Sequence, residues 1–209
     1  MKNKLVPLLL LIIACLSGAL VFGQVDQKKV NTNAIEWMTW EEVQKAQKKE
    51  KRKVFVDVYT DWCGWCKKMD KTTFRNKTII KYLNQNFYAV KFDAETRETI
   101  TLDGKKYDYV ENNGRRGYNE LAADLLKGRL SYPSTVFLNE DFSLIQPIPG
   151  MLEADQLEMI ATYFGEDQHK KTPWTRYEKT YVPINKRKAP LKQPAKKEPK
   201  ASLTNPGDN

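Results

Sequence analysis

Val54-Phe55-Val56-Asp57-Val58-Tyr59-Thr60-Asp61-Trp62-Cys63-Gly64-Trp65-Cys66-Lys67 is the stretch that decides the reading of this chain. From Val54 to Tyr59 it is a continuous apolar run broken only by Asp57, the pattern of a strand covered on both faces. The cysteine motif follows directly and opens a helix that continues toward Met69. At such a helix start, unpaired backbone N–H groups and the positive end of the helix dipole favour a thiolate on Cys63. Cys66 lies one turn on and on the same face, within disulfide reach and deeper in the protein. The pair reads as a redox couple in which Cys63 attacks and Cys66 resolves. Gly64 and Trp65 add little polarity between the thiols, which leaves the direction of electron flow open.

Upstream, Met1-Lys2-Asn3-Lys4 is short and basic, and Leu5 to Phe22 is apolar, the layout of a secretory signal ending at Gly23 before Gln24. Two rivals stay open: a retained membrane anchor, and a lipoprotein signal in which Cys15 is acylated. Either way, of the chain's three cysteines only Cys63 and Cys66 remain for protein chemistry. Residues 24–33 are polar and unpatterned and read as a linker to one domain spanning 34–168.

Within that domain, Thr39-Trp40-Glu41-Glu42 has the form of a capping box and opens a short helix. A second helix is capped near Asn76, and Phe87 to Asp93 reads as another buried strand. The segment 94–117 reads as an insertion holding a hairpin about Asp103-Gly104, the strongest local turn signal. A helix follows over Tyr118 to Lys127, then strands Thr135 to Leu138 and Ser143 to Gln146, and a last helix from Ala154 to Phe164.

The chain resembles the thioredoxin superfamily over residues 35–165. The active-site strand carries Asp57 six residues before Cys63, at the family's buried aspartate. Lys91, in Val90-Lys91-Phe92-Asp93, matches the lysine the family places beside it. Tyr132-Pro133-Ser134-Thr135 looks like the loop holding a cis-proline that faces the cysteines. The resemblance implies an α/β fold, a central mixed sheet with helices on both faces, here with a β-hairpin insertion. It implies thiol–disulfide exchange on disulfide-containing protein substrates, as a reductase or isomerase kept reduced by an upstream thiol donor, possible in the membrane, with no cofactor. Asp57 would take the proton from Cys66, and Lys91 would modulate it. Tyr132 and Pro133 would offer backbone groups to a substrate strand, and Trp62, Gly64 and Trp65 would complete the contact surface. The rival functions are Cu(I) handling through the two thiolates and a non-catalytic interaction domain.

Charge narrows the classes further. The formal net charge is +9, but 169–209 holds eleven Lys and Arg against Glu178, Glu198 and Asp208, a net of +8. Residues 24–168 are left at −1, which points away from nucleic acid. Six of the ten prolines fall in that basic end, read here as a disordered tail able to touch anionic surfaces. His169 is the only histidine, so histidine-based hydrolysis and histidine-rich metal sites are excluded. If Val54 to Tyr59 and Phe87 to Asp93 are parallel neighbours, as the resemblance implies, the insertion follows a strand end on the edge where the cysteines lie; the rival is a purely structural hairpin that pads a sheet edge. The Asp103-Gly104 hairpin, with Tyr107 and Tyr109, is therefore expected beside them, limiting which substrates approach.

Overall fold

A computed structural model describes residues 31–187. The signal, anchor and lipidation readings of residues 1–23, most of the linker and the basic end from 188 lie outside the described residues.

In chain order the elements are β1 (Trp37–Met38), α1 (Trp40–Gln47), β2 (Lys53–Tyr59), α2 (Gly64–Lys71), α3 (Lys77–Asn86) and β3 (Phe87–Asp93). Then come β4 (Ile100–Leu102), β5 (Lys105–Tyr107), β6 (Tyr109–Asn112), β7 (Arg115–Asn119) and α4 (Glu120–Leu125). The last are β8 (Ser134–Leu138), β9 (Leu144–Pro149), α5 (Ala154–Gly165) and α6 (Trp174–Thr180). Five strands form one mixed sheet in the order β1-β3-β2-β8-β9. β1, β3 and β2 run parallel, whereas β8 is antiparallel to β2 and β9 to β8.

Alternation along β2 divides the molecule into two layers. Phe55 points into a core with Met69 of α2, Ile79, Ile80 and Leu83 of α3, Phe137 of β8 and Leu157 and Phe164 of α5. Val54, Val56 and Val58 point the other way, onto Trp40 and Val43 of α1 and Leu121, Ala122 and Leu125 of α4. Asp57 has the parity of Phe55, so it lies on the face that α2 covers. The expected capping box is present: Thr39 Oγ1 accepts the Glu42 N–H at 3.2 Å, and Glu42 accepts the Thr39 N–H at 2.8 Å.

Two expectations need correction. First, 169–187 is not a structureless tail: α6 packs on α5. Tyr177 is buried and its hydroxyl donates to Thr162 Oγ1 at 2.9 Å. The Tyr181 hydroxyl donates to Glu158 at 2.6 Å, and Arg187 reaches Glu166 at 2.7 Å. The signal was there as Trp174, Tyr177 and Tyr181, spaced three and four apart on one helical stripe, which the prolines and lysines around them obscured. Second, the Asp103-Gly104 hairpin, β4–β5, does not stand at the cysteines. Its Ile100, Leu102 and Tyr107 are buried in the layer with Trp40 and Val43. Gln44 of α1 clasps it, donating to the Thr101 carbonyl at 2.9 Å and accepting the Asp103 N–H at 3.0 Å. A hairpin carrying three large apolar side chains on one face finds more area against α1 than it would on a solvent-facing rim.

Candidate functional site: the cysteine pair and its two charged networks

Cys63 is the N-cap of α2 and Cys66 lies in its first turn. The Cys63 Sγ accepts the Cys66 backbone N–H at 3.1 Å, so a donor already points at the sulfur where a thiolate would develop. The two residues are joined as a disulfide with their Cα atoms 5.3 Å apart. Both are buried in this oxidised form, Cys63 at 4 % and Cys66 at 2 % relative exposure, so the expected contrast in accessibility is slight.

Register explains what lies beneath. Asp57 of β2 pairs with Lys91 of β3, and parallel neighbours in register put their side chains on the same face. Lys91 Nζ donates to Asp57 Oδ2 at 2.8 Å and also to Asp70 Oδ1 of α2. The rings of Trp37, Tyr59 and Phe74 surround the ammonium at 5.3, 4.8 and 5.5 Å. Burial drives the Asp57 carboxyl above the usual range, outweighing the pull of Lys91 in the other direction. Burial also works against the charge of Lys91, but its two carboxylate partners overcome this and raise its pKa. Asp57 Oδ1 has no hydrogen-bond partner among the described residues, which leaves one oxygen free to accept a proton.

The rim is built from different parts. The Tyr132–Pro133 peptide is cis. Tyr132 is half-buried, and burial, helped by Glu95 and Asp93, pushes its hydroxyl up to about 12. Its ring meets that of Trp62 edge to face at 6.0 Å. Trp62 and Trp65 are 50 % and 60 % exposed, the most exposed large apolar side chains among the described residues. Lys68 lies over the Trp65 ring at 5.0 Å and Arg116 over the Trp62 ring at 5.2 Å. Gly64 opens α2, and a Cβ built there would meet nothing within 4 Å.

Cys63, Cys66, Asp57, Lys91, Trp62, Gly64, Trp65, Tyr132 and Pro133 thus fall at the cysteine helix, beneath it or on its rim, whereas Tyr107 lies in the α1 layer. Three further residues belong with them. Asp70 follows Cys63 by two helical turns and could have been placed from that spacing. Glu95 and Arg116 sit in the insertion, and Arg116 follows Asn113-Gly114, a second turn dipeptide as strong as Asp103-Gly104. Among the described residues no group of three or more His, Cys, Asp and Glu side chains converges on a metal position, and no helix is long and apolar enough to cross a membrane.

Comparison with known proteins bears on this arrangement. An uncharacterized protein of Caenorhabditis elegans is 31 % identical over 140 residues, 66 % of this chain but 15 % of its own length. Spermatogenesis-associated protein 20 of Mus musculus is 35 % identical over 69 residues, 32 % of this chain and 9 % of its own. The chain therefore spans only a small part of these curated relatives. A solved thioredoxin-fold protein from Helicobacter pylori superposes with a TM-score of 0.47 and 16 % identity, covering 62 % of this chain and 79 % of that one. The model of the Thioredox_DsbH family, described as a protein of unknown function, DUF255, matches residues 26–176. With that match over most of its length and a cysteine pair at the head of α2 in a thioredoxin-like sheet, the chain belongs to the Thioredox_DsbH family.

Proposed function

We propose that the protein is a thiol–disulfide oxidoreductase working on exported proteins as a reductase or isomerase, and that an upstream thiol donor restores its dithiol. The observation that carries this reading is the Cys63–Cys66 disulfide at the N-terminus of α2, set over a buried carboxyl whose second oxygen has no hydrogen-bond partner among the described residues. Export is supported by the basic and apolar pattern of residues 1–23 and by the confinement of the remaining cysteines to this one pair.

In the reduced protein the Cys63 thiolate attacks one sulfur of a substrate disulfide. A Cys63–substrate disulfide forms and the first substrate thiolate leaves. Cys66 then gives its proton to Asp57 and attacks the Cys63 sulfur, forming the internal disulfide and releasing the second substrate thiolate, which is protonated in turn. Two electrons have moved from the protein to the substrate, and the donor dithiol returns them. Tyr132, whose ring meets that of Trp62 next to Cys63, offers its backbone to a substrate strand in this reading.

Insulin reduction by the full chain tests the reading. Wild type reduces insulin disulfides, Cys63→Ser does not, and Cys66→Ser accumulates covalent substrate adducts because nothing resolves them. Failure of wild type to reduce insulin, with stoichiometric Cu(I) bound by the two thiolates, replaces the reading with metal handling.

A further inference from the structure

The second hairpin of the insertion, β6–β7, does what was expected of the first: it reaches the rim. It is an arm held at its base. Buried Asn119 donates its backbone N–H to the Ala94 carbonyl at 2.7 Å, just past β3, and its side-chain amide to the Glu98 carbonyl at 3.0 Å. The arm is closely packed near that base, while residues 111–116 toward its tip are exposed. Tyr109 lies across Gly117 so closely that a Cβ there would overlap the Tyr109 hydroxyl and the Val110 carbonyl. Arg97 covers the outer face of the Tyr109 ring at 4.3 Å. The residue before Gly117 is Arg116, and its place is thereby set.

Arg116 meets two groups of the rim. Its guanidinium lies 5.2 Å from the centre of the Trp62 ring and 3.8 Å from Glu95 Oε2. The other oxygen of Glu95 accepts the Trp62 indole N–H at 2.9 Å. Glu95 thus holds the edge of the indole, Arg116 covers its face, and Tyr132, next to the cis-proline, meets it edge to face. Trp62 immediately precedes Cys63. Left to itself, a half-exposed tryptophan beside a redox cysteine would sample several rotamers.

We infer that Arg116 is a positioning residue: with Glu95 it fixes the Trp62 indole as one wall of the cleft between the cysteine pair and the cis-proline loop, and so selects for disulfides carried on an extended polypeptide segment. The inference rests on the oxidoreductase reading for its substrate but not for its geometry. An extended chain lying along Tyr132 needs a fixed apolar wall and gains from not having to order it. A folded partner approaching from the Trp62 side meets the arm instead. A small disulfide reagent needs neither wall nor clearance.

The experiment uses the full chain with 15N-labelled tryptophan, together with insulin and a small aromatic disulfide as substrates. Hydrogen exchange of the Trp62 indole N–H, assigned through Trp62→Phe, reads the positioning without reference to activity. In Arg116→Ala this exchange rises about threefold and the KM for insulin rises by a similar factor, with kcat and the small-reagent rate unchanged. Arg116→Lys keeps the cation and restores most of both. In a Trp62→Phe background, Arg116→Ala adds nothing. Indole exchange that is unchanged in Arg116→Ala, or an undiminished effect on insulin in the Trp62→Phe background, overturns the inference. If wild type reduces neither substrate, the oxidoreductase reading fails, while the indole exchange still decides the positioning.

Discussion

Two networks of charge flank the cysteine pair, and they differ chiefly in their access to water. Beneath α2, Lys91 joins Asp57 and Asp70, with the Asp57 side chain only 2 % exposed. On the rim, Glu95 joins Trp62 and Arg116, whose side chain is 66 % exposed. The same kinds of group sit in both, an acid and a base against aromatic rings. Burial makes the inner one a matter of stability and proton affinity, since an unpaired charge there has no solvent to turn to. Solvent makes the outer one a matter of geometry, worth little in energy but able to hold one rotamer.

The sharpest way to break this contrast is Lys91→Met. It leaves Asp57 buried without its cation, and we expect a loss of about 3 kcal/mol at neutral pH, the lower end for a broken buried pair because Lys91 itself is partly exposed. The sign can be checked by titration. A carboxyl whose pKa is raised by folding contributes stability at pH below its unfolded value, and that contribution disappears as pH rises through the folded value. Removing the cation raises the folded value further, so the variant recovers toward wild type in acid. Urea unfolding across the acid range measures this, and a deficit that is constant with pH would mean Asp57 is not the group responsible.

The two hairpins of the insertion pose the contrast again, and they show what a sequence discloses. Asp103-Gly104 and Asn113-Gly114 both form tight turns, with φ of 49° and 78° in the first and 24° and 78° in the second. Turn chemistry is local and was legible at the first. Where each hairpin goes is not local. β4–β5 was expected at the cysteines and lies against α1, because Leu102 and Tyr107 had an apolar face to join there. The contact of Arg116 with Trp62 joins residues far apart in sequence and has no periodicity to betray it. Asp57 and Lys91 could be placed by resemblance, whereas Asp70, two turns along α2, was missed although the helix that carries it was expected. Leu102→Ala tests the division of labour. Leu102 is buried, and truncating it at the margin of its layer should cost about 2 kcal/mol in urea unfolding. The Trp62 indole exchange should not change, and if it does the two hairpins act as one unit.

Asp57→Asn is the complementary change to Lys91→Met and should have the opposite sign. Lys91 keeps Asp70, while the buried group no longer carries a charge that burial opposes. Stability at pH 7 should rise by about 1 kcal/mol, the lower end for replacing a buried ionic group by a neutral one, and its dependence on pH in the acid range should flatten. Turnover of insulin should fall nonetheless, because Cys66 loses its proton acceptor, and adducts through Cys63 should become detectable. A gain in stability with unchanged turnover would leave the inner network purely structural.

The smallest effect is expected at Gly64, where burial has no part at all. It is the first residue of α2 and stands between Trp62 and Trp65, and a Cβ there would project into open space. Alanine loses less chain entropy on entering a helix, so Gly64→Ala should stabilise the fold by about 0.5 kcal/mol. The small disulfide reagent should be reduced as before, since neither sulfur nor the buried acid is touched. The added methyl would nevertheless enter the space that a substrate segment crosses between the two exposed tryptophans. A KM for insulin raised about twofold, no more than a modest steric cost at an open rim, is therefore the expected result. If stability rises while insulin kinetics stay at the wild-type level, the glycine leaves the contact surface, and the rim is defined by Trp62, Tyr132 and the arm that carries Arg116.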